Sequence, residues 1–452
     1  MTQTGGSGGP DPAAGRVPDS SVAVSAEPES AQAPESEAAA LAATASPDLI
    51  ANSLGEYARI WWRRVRGGES GALPVVIGLI VIVVYFQVRN SLFLSAGNLV
   101  NLITQAAFIV TFGMAEVFVL LLGEIDLSVG FNAALGAVIT LWMLSSNLPL
   151  WLAVVAGLAF SAAFAGLEGV IITRLRLPSF VVTLAGYLGG FGLLLALIDM
   201  AAPGSGGTIR LNNNVISAIE GGTMSPAAGW IITVVAVVLG GAYMLTRDAR
   251  RRANNLSAPP ASVTFLKIAL MAAAGVIVVL ICNQNRGVGL FVVEGVPWVV
   301  LVVLILLVVW TTLLNRTRLG RYIYAIGGNA EAARRAGINL SRIRVTAFAL
   351  CGLTAGITGI IYSSNLGSIS SNFNGGQYVL YAVAAAVIGG VSLFGGRGRM
   401  LGAVLGGLVV GVIYNGLTLL GLGAAAQYIW TAAVLLAAVA VDSLARRGST
   451  PT

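Results

Sequence analysis

The sequence predicts an all-α polytopic membrane protein with about 10–12 transmembrane helices. Three observations support this class. Of the 452 residues, 56% are hydrophobic and only 10% are charged, whereas about 25% are charged in ordinary soluble proteins. Apolar stretches of about 20 residues, the length that crosses a bilayer as a helix, recur along the chain. Arginines follow alternate stretches, which is typical of cytoplasmic loops.

The composition argues against several kinds of site. The chain has no histidine, the commonest metal ligand and general base. Cys282 and Cys351 lie in separate apolar runs and are expected to be small core residues. The net charge of +7 comes from arginines at the edges of apolar runs, which favours membrane orientation over nucleic-acid binding. We therefore expect no metal site, no catalytic residues and no nucleic-acid partner.

The chain begins with a segment unlike the rest. Residues 1–53 are rich in Gly, Ser, Pro and Ala and are predicted to be disordered. They lack the basic start and apolar centre of a cleavable signal peptide. Residues 54–72 are basic and aromatic, which favours an interfacial segment on the cytoplasmic leaflet. The membrane domain is predicted at 73–447.

This domain contains twelve apolar runs, at about 73–89, 99–122, 131–146, 150–173, 179–199, 228–246, 263–282, 297–314, 345–363, 378–394, 400–421 and 425–441. If the N-terminus is cytoplasmic, even-numbered runs must end in the cytoplasm, where arginines concentrate. The arginines after the fourth, sixth, eighth, tenth and last runs are Arg174, Arg176, Arg247, Arg250, Arg251, Arg252, Arg316, Arg318, Arg321, Arg397, Arg399, Arg446 and Arg447. This parity predicts twelve spans with both termini cytoplasmic, or ten spans if two runs are re-entrant or interfacial.

A short polar stretch at 123–130 interrupts the apolar sequence; it reads Gly-Glu-Ile-Asp-Leu-Ser-Val-Gly. Two carboxylates and a hydroxyl are costly in apolar surroundings, and such residues in a membrane protein are functional candidates. The alternative is a plain loop between two spans, with its acids in water.

The same stretch opens a weak internal repeat. Residues 123–138 align without gaps on 389–404, with seven of sixteen positions identical. Either apolar, glycine-rich segments match here by chance, or two broken-helix elements face each other around a central site, as in many transporters. Only the first copy carries carboxylates.

The polar stretch, Pro178-Ser179-Phe180, Gly320-Arg321 and the Ile-Gly-Gly-Asn at 326–329 together resemble the permease subunits of ribose/xylose-type sugar ABC importers. The likeness runs from about 73 to 447. It implies a multi-pass protein of the cell membrane, embedded in lipid, that transports xylose or a related pentose by alternating access. The implied partners are an ABC ATPase subunit, an external sugar-binding protein and a second permease copy. No Walker-type Gly-x-x-x-x-Gly-Lys-Ser/Thr motif is present, so we expect this chain to bind no cofactor and the ATPase to use the ATP.

Within this reading, the polar stretch supplies the first site candidates, Glu124, Asp126, Ser128 and the nearby Asn132. Carboxylates, amides and hydroxyls pair with the hydroxyls of a neutral sugar. Alternatively, Asp126 caps the N-terminus of the following helix, where a carboxylate is favoured. We expect Asp126→Ala to reduce transport in either case.

Polar residues within the apolar runs are further pathway candidates, or bonds between neighbouring helices. Glu168-Gly169 stands where the family commonly has Asn-Gly. This departure indicates either a different sugar or a pair between Glu168 and Arg174, and we favour the pair. The pathway candidates in this group are Gln105, Asn365, Asn415 and Gln427; Glu116 and Asp442 are also polar residues within runs.

The long cytoplasmic segment at 315–344 is predicted to contact the ATPase. Residues 330–335 are strong helix formers with a small-residue face, and Gly337 is a natural helix stop. The segment resembles the coupling helix of the family; the alternative is a solvated positive-inside loop. The coupling candidates are Gly320, Arg321, Asn329, Glu331, Arg334 and Gly337.

Two alternative functions are consistent with the sequence. The same architecture could carry ribose or another sugar-like solute. A stand-alone secondary transporter could couple to protons through Asp126 or Glu116.

The longest loop on the predicted outer side, about 200–227, is either a spacer or a docking rim for the binding protein, and the family resemblance favours docking.

Overall fold

The computed structural model describes residues 55–56, 59, 73–287, 292–423, 425–433 and 436. The predicted tail at 1–53, most of the interfacial segment at 54–72, and Asp442, Arg446 and Arg447 lie outside these residues.

The described residues form helices and very little strand. The helices are α1 (Leu73–Arg89), α2 (Ala96–Leu120), α3 (Val129–Ser145), α4 (Leu150–Leu175), α5 (Ser179–Ala201), α6 (Asn214–Gly221), α7 (Pro226–Ala253), α8 (Ala261–Cys282), α9 (Trp298–Arg316), α10 (Arg318–Gly328), α11 (Ala330–Arg335), α12 (Leu340–Leu366), α13 (Gly375–Ile388) and α14 (Met400–Leu419). The strands are β1 (Thr208–Arg210) and β2 (Ser368–Ser370). The predicted all-α class is confirmed.

Eleven of the twelve apolar runs coincide with helices in the described part of the chain. Eight of these helices are long and apolar enough to cross a membrane, whereas α1, α3 and α13 are shorter. The run at 425–441 is helical at 425–433 and otherwise lies mostly outside the described residues. At 1.5 Å per residue, the 17 residues of α3 and the 14 of α13 are shorter than the roughly 30 Å hydrocarbon core. Helix α3 begins within the first aligned segment of the repeat, and α13 ends directly before the second.

Helices α2 and α12 form the centre of the bundle. α12 packs against α4, α2 and α3, while α13 and α14 pack against α2. Small residues allow the backbones to approach closely: a Cβ on Gly359 of α12 would overlap the carbonyl oxygen of Ala133 in α3. Since α2 is surrounded by other helices, its side chains are buried on nearly all faces.

Helices α7 and α8 pack on each other and expose most of their length. Their exposed side chains include Ile231, Leu239 and Leu270. Large apolar side chains on an exposed helix face suit lipid rather than water.

The loop at 202–225 is attached to the C-terminal end of α12. Strand β1 pairs antiparallel with β2, with Ile209 opposite Ile369. The Ser364 hydroxyl of α12 donates to the carbonyl oxygen of Ile216 in α6 at 2.7 Å and accepts from the Glu220 amide at 3.0 Å. These bonds hold α6 over the end of α12, so this part of the predicted docking rim is an ordered element.

Candidate functional site

The two aligned segments meet in space. α2 ends at Leu120, and the chain turns at Gly123, whose φ of 79° is the left-handed conformation that glycine adopts without strain. The Gly396 amide, in the turn between α13 and α14, donates to the Leu121 carbonyl oxygen at 2.9 Å. Two broken-helix elements therefore face each other, as the repeat predicted. We call the segment 121–128 the first break and 389–399 the second break.

The Asp126 carboxylate organises the first break. It is fully buried, and its Oδ1 accepts from the Ser128 amide at 2.8 Å and from the Ser128 hydroxyl at 2.7 Å. The Asp126 amide donates to Oε1 of Glu116 at 3.1 Å, which joins the break to α2. Since Ser128 directly precedes α3, this geometry is that of a carboxylate at a helix start. Neither Asp126 nor Ser128 has accessible surface in this conformation.

Glu168 of α4 belongs to the same cluster. Its Oε2 lies 2.9 Å from the Ser128 hydroxyl, and its Oε1 is pressed against Gly186 of α5. The predicted pair with Arg174 is wrong. Six residues along a helix rotate a side chain by about 240°, so Arg174 points away and is exposed.

Glu124 and Asn132 have separate partners. The Glu124 carboxylate forms an ion pair with the Arg344 guanidinium near the start of α12. Asn132 of α3 donates through Nδ2 to the Ser161 carbonyl oxygen of α4 at 3.1 Å. Both residues therefore connect the region of the first break to neighbouring helices.

The amide candidates lie apart from the first break. Asn98 donates to the Asn415 side-chain oxygen at 2.9 Å, and Asn415 donates to that of Gln105 at 3.0 Å. These bonds join α2 to α14, the interhelical role given as the alternative. Gln427 donates to the Thr418 hydroxyl at 3.3 Å.

Asn365 and Glu220 form a pair at the opposite end of α12 from Arg344. The Asn365 amide donates to the Glu220 carboxylate. Burial raises the pKa of Glu220 to about 8, against a smaller lowering by the bond from Asn365. Glu220 was not among the sequence candidates, because a single acid in a polar loop carries no distinguishing pattern.

The predicted cytoplasmic helix is present as α11. The Asn329 side chain caps it by accepting from the Ala332 amide at 2.9 Å, and Gly337 ends it with a φ of 82°. Glu331 forms exposed ion pairs with Arg334 at 2.8 Å and Arg335 at 3.1 Å. Hydrogen bonds from these two arginines lower the pKa of Glu331.

Helix α10 links α11 to both breaks. A Cβ on Gly327 would overlap the Leu121 carbonyl oxygen and crowd the Gly396 amide. The Tyr324 hydroxyl donates to the Gly398 carbonyl oxygen at 2.9 Å. Two coupling candidates remain. Gly320, in the first turn of α10, is buried against Leu314 at the end of α9, whereas Arg321 is exposed.

The described residues contain no group of three or more His, Cys, Asp or Glu residues arranged to hold a metal. In the acidic cluster of Glu116, Asp126 and Glu168, the Cys351 thiol lies 3.6 Å from Oδ2 of Asp126.

Comparison with known proteins identifies the family. Residues 98–439 match the family described as the branched-chain amino acid transport system / permease component. The chain belongs to this permease family. It is 34% identical to the xylose transport system permease protein of Haemophilus influenzae over 377 residues, which cover 82% of this chain and 95% of that protein. Its identity to the Escherichia coli (strain K12) protein of the same name is also 34%, over 85% of this chain and 96% of that protein.

A second group of relatives carries a different name. The permease is 29% identical to the ribose import permease protein of Escherichia coli (strain K12) over 81% of this chain and 92% of that protein. No solved structure matches the chain significantly. These relatives confirm the resemblance to ribose/xylose-type sugar permeases and the expectation of a transporter subunit rather than an enzyme.

Sequence reasoning missed two partners in the permease. Glu168 meets Ser128 across 40 positions of sequence, and Arg344 meets Glu124 across a longer separation. One signal for Glu168 was available, namely an acid in an apolar run where the family commonly has asparagine. Arg344 carried no such signal, because arginines at run ends are common throughout this chain.

Proposed function

We propose that this chain forms the membrane pathway of an ATP-driven importer for xylose or a related pentose. The observation that carries the proposal is the 34% identity to two xylose transport permeases over at least 95% of their length. The lower identity to ribose permeases supports the same architecture and makes ribose the second choice of cargo.

In this proposal two copies of the permease form the pathway, and an external binding protein delivers the sugar. Two ATPase subunits bind the cytoplasmic side and supply the energy. The permease itself performs no covalent chemistry. Its task is to bind sugar and partners differently in outward-facing and inward-facing states, because a ligand shifts a conformational equilibrium only by its differential affinity.

Helix α11 is the proposed contact with the ATPase. Five of its six residues are exposed or partly exposed, and only Ala333 is buried against the rest of the chain. Small residues on an exposed short helix can enter a groove on a partner. Movement of α11 would pass through α10 to Gly327, which touches both breaks.

The experiment is uptake by the reconstituted assembly. The permease is purified with its co-expressed ATPase, placed in lipid vesicles, and supplied with the external binding protein. Radiolabelled xylose, ribose and leucine are offered separately, with and without ATP. We expect ATP-dependent accumulation of xylose. Accumulation of ribose alone would change the cargo, and accumulation of leucine alone would contradict a sugar importer.

One structural observation favours a second candidate, a stand-alone proton-coupled transporter. Glu116, Asp126 and Glu168 lie together in the bundle interior, and buried carboxylates of this kind form proton relays in some transporters. A protonophore would abolish uptake by such a protein, whereas removal of the ATPase would leave uptake intact.

A further inference from the structure

A cavity of about 370 Å³, open to the surface of the chain, lies beside the N-terminal end of α13. This volume falls within the range of about 300–1,000 Å³ that small-molecule sites occupy. Its walls include Leu127 of the first break, Leu184 of α5 and Leu380 of α13. The cavity therefore joins the first break to two helices that the sequence candidates did not include.

A row of hydrogen-bonding side chains begins at one wall and continues to Tyr381, which is buried behind that wall. Asn374 donates to the Tyr428 hydroxyl at 2.6 Å and lies 3.2 Å from the side-chain oxygen of Gln377. Gln377 donates in turn to the Tyr381 hydroxyl at 2.6 Å. The side-chain oxygen of Asn374 also accepts from the backbone amide of Gln377 at 3.3 Å, which fixes Asn374 at the start of α13.

These groups keep hydrogen-bonding capacity for a ligand. The Tyr428 hydroxyl accepts from Asn374, so its own hydrogen is available to a further acceptor. The Gln377 amide uses one N–H toward Tyr381, and a second N–H remains. Neighbouring neutral donors and acceptors match the hydroxyls of a sugar, because each hydroxyl can both donate and accept a hydrogen bond.

Aromatic and apolar surfaces complete the cavity. The Tyr187 hydroxyl lies next to Gly376, and its ring packs edge-on against Phe131 with centroids 4.8 Å apart. Tyr428 also lines the cavity, and its side chain is exposed. Such rings cover the C–H face of a sugar while amides bind its hydroxyls.

The cavity lies where two short helices begin. The short helices α3 and α13 begin beside it, and a Cβ on Gly130 would overlap the Gly375 carbonyl oxygen. Transporters commonly place substrate sites where such discontinuous helices start. Movement of either break would move one wall of the cavity, since Leu127 lies in the first break and α13 ends at the second.

We propose that this cavity is a monosaccharide-binding site on the translocation pathway, with Asn374, Gln377 and Tyr428 binding sugar hydroxyls and Tyr187 covering the ring. This inference rests on the proposed function and names a place for the sugar within it. It shifts direct sugar contact away from Asp126 and Ser128, which are fully buried.

The test uses a reporter thiol at the cavity wall. Cys282 and Cys351 are both fully buried, so Leu380→Cys introduces an accessible thiol while Asn374 and Gln377 stay intact. The full assembly in lipid vesicles is treated with a small maleimide, with and without excess free xylose. We expect xylose to slow labelling several-fold and leucine to have no effect. The matched control, Gln284→Cys in the exposed loop after α8, should label at the same rate under all conditions.

A second variant separates sugar binding from a general change of shape. Asn374→Ala in the Leu380→Cys background should remove the protection by xylose while the thiol still labels. Asn374→Ala and Gln377→Ala in the native background should each lower xylose uptake about tenfold, the scale of one lost hydrogen bond. Gln284→Ala should stay within about twofold of the unmodified protein.

The outcomes are distinguishable. Unchanged labelling in xylose, equal protection by leucine, or protection that survives Asn374→Ala would each overturn the sugar site. Labelling is measured on the permease itself, so protection by xylose together with absent ATP-dependent uptake would contradict the proposed function and leave the site standing.

Discussion

At the scale of single residues, Ser128 of the first break lies between two carboxyl groups. Its hydroxyl lies 2.7 Å from Oδ1 of Asp126 and 2.9 Å from Oε2 of Glu168. A hydroxyl has one hydrogen to donate, so it can donate to only one of these carboxyl groups. The other contact requires a hydrogen on that carboxyl group. In a buried site this arrangement favours one shared proton over two bare carboxylates.

This proton count predicts the behaviour of two Glu168 variants. Glu168→Gln is neutral, keeps the shape, and can donate an N–H to the Ser128 hydroxyl; we expect uptake and thermal stability close to those of the unmodified protein. Glu168→Leu removes the partner of a buried hydroxyl and should cost about 1–3 kcal/mol. The measurements are the unfolding temperature in detergent and uptake in vesicles. If Gln were as damaging as Leu, the site would require a charged carboxylate.

Glu220 allows a prediction of pH dependence outside the membrane-spanning helices. Because burial raises its pKa to about 8, the protonated form is favoured in the docked state of α6. The docking free energy should therefore be greatest below the ordinary pKa of a glutamate and decrease as the pH rises through about 8.

Hydrogen exchange measures this effect at the amide of Glu220, which donates to Ser364. Protection, corrected for the intrinsic rate, should fall between pH 6 and 9. Glu220→Gln should remove that dependence. Protection that increases with pH in the unmodified protein would contradict the assignment.

At the scale of elements, α10 connects α11 to the two breaks. Gly327 and Gly328 provide a matched pair of sites. A Cβ on Gly327 would overlap the Leu121 carbonyl oxygen, whereas a Cβ on Gly328 would meet nothing within 4 Å. The first position therefore requires glycine for close approach, and the second does not.

We expect Gly327→Ala to separate α10 from the breaks. It should lower the unfolding temperature and reduce uptake per ATP hydrolysed, with a cost of about 1–3 kcal/mol, as for overpacking. Gly328→Ala is the control and should remain close to the unmodified protein. Equal behaviour of the two variants would show that the contact at Gly327 carries no coupling.

Helix α11 permits a test of the proposed ATPase contact. Gly337→Trp places a large side chain at an exposed position with a φ of 82°, where residues other than glycine are strained. We expect normal membrane insertion but ATP hydrolysis no longer linked to uptake. Gly421→Trp, at another glycine of positive φ with nothing within 4 Å, is the control and should retain coupling. Unchanged coupling in Gly337→Trp would place the ATPase contact elsewhere.

At the scale of the whole molecule, the sequence predicted the helices better than their meeting points. Eleven apolar runs became helices because length and hydrophobicity are local properties. The helix at 330–335 was predictable because helix propensity and a glycine stop are local properties too. The runs at about 131–146 and 378–394 already indicated that α3 and α13 are short, but not that Gly130 and Gly375 at their starts lie in close contact. The cavity was not predicted either, since Asn374, Tyr187 and Tyr428 come together only through tertiary packing.

The internal repeat shows both the value and the limit of such reasoning. One of its two alternatives was that the aligned segments face each other, and Gly123 does lie against Phe394 and Gly395. It did not indicate that α10 would lie against both, because α10 has no counterpart in the alignment. The resulting contact brings Gly327 of α10 against Leu121 of the first break and Gly396 of the second.

We propose that this permease moves sugar with energy from a separate ATPase. The most direct measurement compares xylose accumulation in vesicles that contain the complete assembly, the assembly with a hydrolysis-deficient ATPase, or the permease alone. We predict accumulation against a gradient only with the complete, hydrolysing assembly, and no loss when a protonophore is added. Uphill accumulation by the permease alone, abolished by the protonophore, would contradict the account.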